Sequence, residues 1–229
     1  MKKAYSINLF DGHLIVNENG KVILVDTGSP FTLSREKEFL FMENQRHVAT
    51  NVGGQTVEEM GQLLGYPIDV LLGMDILSEL YAFVDYKQKQ VVFSDEEFLL
   101  DGFSELIMEK SVLGAMYVPL TVNGQIMNFA LDTGAKISYV DEICTSSETP
   151  IEDRDDFNPL VGHFNTPIYK MLAMIGDTSF PVRFGTLPRS LSIPLKMMGL
   201  DGVIGYDLFV AFTVVMDFKR NALFYKRVI

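Results

Sequence analysis

The amino-acid sequence predicts an all-β protein of two pseudo-symmetric, barrel-like lobes carrying short helices. Three observations predict it. The block Val22-Ile23-Leu24-Val25-Asp26-Thr27-Gly28-Ser29 recurs as Asn128-Phe129-Ala130-Leu131-Asp132-Thr133-Gly134-Ala135, 106 positions on. A second block, Val70-Leu71-Leu72-Gly73-Met74-Asp75, recurs as Gly202-Val203-Ile204-Gly205-Tyr206-Asp207, 132 positions on. The apolar runs are short and bounded by turn residues, as buried strands are. Two matched blocks in the same order mean two copies of one unit.

Each element follows from local chemistry. Leu14-Ile15-Val16 and the run 118–122 read as strands, followed by Asn19-Gly20 and Asn123-Gly124, which are strong hairpin-turn pairs. Val22 to Val25 and Phe129 to Leu131 are continuous apolar runs that suit strands buried on both faces. Residues 75–80 and 207–211 read as short helices, with Asp75 and Asp207 as N-caps. Each copy then closes with a hairpin, 82–86 with 91–93 and 212–218 with 222–225. The segments near Tyr5 to Phe10 and Phe224 to Ile229 are expected to join a sheet spanning the lobes. The lobes are assigned to residues 1–97 and 115–229, with a linker over 98–114 whose mix of apolar and acidic residues suits a short helix. The second copy holds 26 more residues between its blocks. They include the acidic, proline-containing stretch from Ser146 to Pro159, which reads as an exposed loop.

Composition narrows the function classes. The 229-residue chain is 48% hydrophobic and 21% charged, with a formal net charge of −11. A surface of that sign repels phosphate backbones, so no nucleic-acid partner is expected. No apolar stretch approaches the roughly 20 residues of a membrane span, and no signal peptide is visible. The expectation for the chain as given is a cytoplasmic monomer. Cys144 is the single cysteine, so no intramolecular disulfide can form. His13, His47, His163 and Cys144 lack metal-ligand spacing, and no metal or cofactor is assigned. The twelve methionines read as core filler, with Met171, Met174, Met197 and Met198 as candidates for an apolar cleft wall.

The chemistry lies in the repeated Asp-Thr-Gly. An aspartate directly after an apolar strand sits at the strand's end. The glycine after it allows a sharp backbone turn, and the threonine hydroxyl can bond nearby backbone. These motifs, with Leu71-Leu72-Gly73 and Val203-Ile204-Gly205, resemble those of the aspartic peptidases, the pepsin and retropepsin superfamily. At 229 residues the chain resembles a retropepsin dimer fused into one polypeptide. The resemblance implies a bilobal acid-protease fold and an aspartic endopeptidase acting on peptide or protein substrates. It implies that Asp26 and Asp132 are catalytic. Thr27, Gly28, Ser29, Thr133, Gly134 and Ala135 would support the pair, and Leu72, Gly73, Ile204 and Gly205 would brace the loops. It also implies a glycine-rich flap, for which Gly53 and Gly54 are candidates in the first copy and Gly162 and Gly176 in the second. Two carboxyls held together share one proton. Ser29, where the second copy has Ala135, is expected to donate its hydroxyl to Asp26 and favour its charged form, leaving Asp132 as the acid. A peptide-binding or scaffold protein that keeps the motif without hydrolysis is the alternative.

Overall fold

The structure, a computed structural model, describes residues 1–112 and 114–228. Leu113 of the expected linker and Ile229 of the expected terminal strand lie outside the described residues. The protein is mostly β. The first copy runs β1 (Lys2–Ser6), β2 (Asn8–Phe10), β3 (His13–Glu18), β4 (Lys21–Val25), β5 (Leu33–Ser34), β6 (Glu38–Phe41), β7 (Asn44–His47), α1 (Val57–Leu64), β8 (Val70–Leu72), α2 (Met74–Leu77), β9 (Tyr81–Asp85) and β10 (Gln90–Ser94). Then come β11 (Ser104–Ile107), β12 (Glu109–Lys110), β13 (Met116–Val122), β14 (Gln125–Leu131), β15 (Ser138–Val140), a 3-10 turn over Glu142–Thr145, β16 (Glu152–Asn158), β17 (Gly162–Ile175), β18 (Thr178–Thr186), α3 (Arg189–Met197), β19 (Gly202–Ile204), α4 (Tyr206–Ala211), β20 (Phe212–Asp217) and β21 (Ala222–Arg227).

The repeat in the sequence is a repeat in topology. The five-stranded sheet contains the order β3-β4-β8-β5, and the eight-stranded sheet contains β13-β14-β19-β15. In both, the strand before the aspartate pairs in parallel with the strand before the bracing glycine. Asn19 and Gly20 turn the first hairpin with φ of 50° and 78°, and Asn123 and Gly124 turn the second with 50° and 75°. Positive φ at both positions is the type I′ geometry that matches strand twist.

A six-stranded sheet, β1-β10-β9-β20-β21-β11, takes three strands from each side of the molecule. At its centre Phe83 pairs with Val215, its own repeat counterpart 132 positions on. The local twofold axis therefore passes through that pair. One hydrophobic core runs through both copies, with Tyr86 stacked on Phe209 at 5.4 Å between ring centroids.

Four sequence readings are corrected. The expected linker helix is absent from the described residues: Ser104–Ile107 is strand β11, which holds for the second copy the edge place that β1 holds for the first. The second copy's share of that sheet thus starts before residue 115. The stretch from Ser146 to Pro159 contains strand β16, paired along its length with β17, so it is not a free loop. Asn8–Phe10 joins the five-stranded sheet rather than the spanning one. Finally, Asp75 and Asp207 lie inside the first turns of α2 and α4, whose N-caps are Gly73 and Gly205 without side-chain capping bonds.

Candidate active site

The two aspartates stand at the ends of β4 and β14. Each donates its backbone N–H to the neighbouring parallel strand, Asp26 to the Leu72 carbonyl and Asp132 to the Ile204 carbonyl, both at 3.0 Å. The next residue in each neighbour must be small. A Cβ on Gly73 would lie 2.4 Å from the Phe31 carbonyl oxygen, and one on Gly205 would lie 2.2 Å from that of Ala135. Each glycine N–H then finds a hydroxyl, Thr32 Oγ1 at 2.9 Å and Ser138 Oγ at 3.2 Å. Those hydroxyls in turn donate to Asp75 at 2.6 Å and to Asp207 at 3.4 Å. The aspartates taken for helix caps therefore anchor the strands that follow the Asp-Thr-Gly loops. Thr32 and Ser138 stand 106 positions apart, the offset of the loops themselves. That match was readable in the sequence.

The threonines interlock the two copies. Thr27 donates its hydroxyl to the Leu131 carbonyl at 2.7 Å and accepts from the Thr133 N–H at 3.0 Å. Thr133 donates to the Val25 carbonyl at 2.8 Å and accepts from the Thr27 N–H at 3.1 Å. Both are buried, and each threonine satisfies a backbone group on the opposite copy.

The lock sets the two carboxyls against each other. A Cβ on Gly28 would lie 2.4 Å from Asp132 Oδ2, and one on Gly134 would lie 2.7 Å from Asp26 Cγ. A side chain at either position would occupy the space of the facing carboxyl. Asp26 Oδ1 accepts from the N–H groups of Gly28 at 2.9 Å and Ser29 at 3.0 Å. Asp132 Oδ1 accepts from the Gly134 N–H at 2.8 Å. The Ala135 N–H points instead to the Asp132 main-chain oxygen at 3.4 Å. The Ser29 hydroxyl donates to the Phe31 carbonyl at 2.8 Å. The expected hydroxyl bond to Asp26 is therefore not made, and the asymmetry rests on the extra backbone N–H.

Burial raises the affinity of both carboxyls for a proton. For Asp26 the Gly28 and Ser29 N–H groups and a hydrogen bond with Asp132 work against that rise. Asp132 is held well above the ordinary carboxylate range by burial, then by the Asp26 charge, with a smaller push from Asp156. Two such groups in contact hold one proton between them across a wide pH range, and the titration belongs to the pair. The additional Ser29 N–H favours the charged form at Asp26.

The pair opens into a cavity of about 610 Å³ lined by both loops. Gly53 and Gly54 form a two-residue turn with φ of 62° and 89°, closed by a bridge between Val52 and Gln55, and Gly53 borders the cavity. From the second copy the β16–β17 hairpin reaches over, and Phe157 to Leu160 border the same space. Gln55 Nε2 donates to the Pro159 carbonyl at 2.6 Å, so the two overhanging turns touch. Gly162 closes the hairpin opposite Asn158 with φ of 76°. Gly176 is elsewhere: it turns β17 into β18, and a Cβ there would meet the Tyr225 hydroxyl at 2.4 Å. Gly53 is the one of the four candidate flap glycines among the described residues lining the cavity; Gly54, Gly162 and Gly176 are not. Of the four methionines proposed for a cleft wall, Met198 alone lines this cavity. Met171 is core, and Met174 and Met197 are exposed.

Sequence reasoning missed a polar group beside the pair. Tyr139 donates its hydroxyl to Asp156 of β16. Lys136 Nζ lies 3.8 Å from Asp156 and 3.0 Å from Asp11. His13 is buried among them, and its Nδ1 has no partner among the described residues. Burial keeps His13 below its ordinary imidazole value, with the Asp156 charge opposing that effect. Asp156 and the first-copy residues Asp11 and His13 belong to neither repeated block, so no internal match pointed to them.

Among the described residues no group of three or more His, Cys, Asp or Glu is placed to hold a metal ion, and no helix is long and apolar enough to cross a membrane. No protein-family model matches the chain, and no curated protein matches it.

Proposed function

We propose that the chain is an aspartic endopeptidase of the pepsin and retropepsin superfamily, a two-lobed protein resembling a retropepsin pair fused into one polypeptide. The observation that carries this reading is the interlocked pair of Asp-Thr-Gly loops, with two half-buried carboxyls set against each other at a cavity bordered by both copies. Drawing two like charges together and partly out of water costs stability unless they are used or well satisfied. Here part of each carboxyl faces the cavity rather than protein donors.

The mechanism follows from the asymmetry. Ionised Asp26, stabilised by two backbone N–H groups, takes a proton from a water held between the carboxyls. Protonated Asp132 donates its proton to the oxygen of the scissile carbonyl as the water oxygen bonds to the carbonyl carbon. The resulting tetrahedral diol collapses as a proton passes to the amide nitrogen and the C–N bond breaks. The second hydroxyl proton returns to the pair, which recovers its single shared proton. An extended peptide would lie in the cavity and pair strand-like with the overhanging hairpin. One chain supplies both aspartates, so the working unit is a monomer.

The test is cleavage of a diverse peptide library from roughly pH 4 to 7, where a shared-proton pair operates. Wild-type protein and Asp26→Asn are compared, with and without pepstatin. The expected outcome is cleavage that Asp26→Asn slows by about 10²- to 10⁴-fold. No Asp26-dependent cleavage at any pH defeats the proposal, and retained peptide binding would then point to a non-hydrolytic binding module.

A further inference from the structure

The two copies border the cavity unequally. Leu24 on β4 and Leu71 on β8 face it from the first copy. Their repeat counterparts on β14 and β19 are Ala130 and Val203. Both exchanges remove side-chain volume on the second side. Leu33 is matched by the larger Tyr139, but the Tyr139 hydroxyl is committed to Asp156, which holds the ring towards the overhanging hairpin.

The helices differ more. α1, which precedes β8, buries Val57, Met60, Gly61 and Leu64 and so packs closely onto the first copy's sheet. α3 precedes β19 in the same way, yet none of its residues is buried. Leu191 and Leu195 on α3, with Met198 just past its end, nevertheless border the cavity. Pro194 lies inside α3 and its N-cap makes no side-chain bond. Proline removes an amide donor from the helix interior, so this wall is held more weakly than its counterpart. The smaller side chains at Ala130 and Val203 and the unburied apolar wall of α3 leave more room on the second copy's side of the cavity, a recess between them. Recesses of this kind take apolar side chains, with a few polar groups fixing orientation.

We infer that the recess between Ala130, Val203 and α3 is the dominant side-chain pocket of the site, taking one large apolar residue, such as Phe, from one side of the scissile bond. This rests on the peptidase reading of the cavity. The occupant is part of an extended peptide because these residues line the same cavity as the carboxyl pair and the β16–β17 hairpin. The first-copy side, filled by Leu24, Leu71 and α1, takes a smaller residue. The protein therefore discriminates the order of two residues across the cut.

The test uses two octapeptides that differ only in having Phe-Ala or Ala-Phe at the centre, and a third with Ala-Ala. Cleavage is measured with wild-type protein, and binding is measured by fluorescence anisotropy on Asp26→Asn. Each measurement is repeated with Ala130→Leu, which installs the first-copy residue, and with Leu195→Lys, which places a charge on the half-exposed wall. Thermal melts check that both variants fold. One Phe order is expected to exceed Ala-Ala by about tenfold or more, the discrimination a hydrophobic pocket supplies. Both variants are expected to reduce that ratio towards one. An unchanged ratio in folded variants overturns the inference, as does equal treatment of all three peptides by the parent proteins. If binding keeps its preference for one order and the variants erase it, but nothing is cleaved, the pocket stands and the peptidase reading fails. If the protein dimerises with concentration and Leu195→Lys disperses it, the recess is a contact between copies and the inference falls.

Discussion

Thr27 and Thr133 each serve two backbone groups of the opposite copy, and both lie out of reach of water. Thr27→Val keeps the shape but leaves the Leu131 carbonyl and the Thr133 N–H unpaired. A buried group stripped of its partner costs about 1–3 kcal/mol. Urea unfolding of Thr27→Val is expected to show a loss of at least about 2 kcal/mol, with Thr27→Ser retaining most of the stability. At Asp132 the pH dependence has a defined sign. Burial and the Asp26 charge raise its folded-state affinity for protons, while the unfolded group titrates near its ordinary value of about 3.9. Between those values the folded state binds more protons than the unfolded one. The stabilisation is therefore complete below about pH 4 and is lost as pH climbs through the folded value. Asp132→Asn stays neutral throughout. Its melting temperature relative to wild type is expected to rise from about pH 4 to pH 7; a constant difference would contradict the raised carboxyl.

At the scale of elements, the β16–β17 hairpin is held at β16 by Tyr139 and at its turn by Gln55. Tyr139 donates to Asp156 on a strand that is otherwise exposed along Glu152 to Asp155. Tyr139→Phe leaves Asp156 with the Lys136 ammonium at 3.8 Å. It is expected to lower stability by about 1–3 kcal/mol and to speed amide exchange across 152–168, with β4 and β14 unchanged. The same strand explains why part of the fold was hidden. The strands ahead of Asp26 and Asp132 end in apolar residues that are all buried, Ile23 to Val25 and Phe129 to Leu131, and such runs are visible in a sequence. β16 reads Glu-Asp-Arg-Asp-Asp-Phe-Asn and buries only Asp156, so it shows no alternation, and pairing with β17 alone makes it a strand. β11 is similar, with Ile107 largely exposed on a sheet edge. The loops, glycines and bracing residues were legible because close approach permits few residue types. The polar group around His13 was not, because burial of a lone histidine depends on contacts across the copies.

The whole molecule is expected to unfold as one unit. Both copies contribute to one hydrophobic core, to one six-stranded sheet and to one set of interlocked loops. Separating them would expose Tyr86 and Phe209 and break the Phe83–Val215 pairing at the centre of the sheet. Calorimetry is expected to give a single transition whose calorimetric and van't Hoff enthalpies agree. Two transitions would show that each copy stands alone.

A missing methyl group on one half of the chain is the room in which the other half keeps its reactive oxygen. Gly28 makes space for Asp132 and Gly134 makes space for Asp26. Repeated units normally drift apart because each can accept changes without consulting the other. At these two positions that freedom is gone: a mutation in one gene segment becomes a lesion in its sibling, and compensation would have to arise on the far side of the repeat.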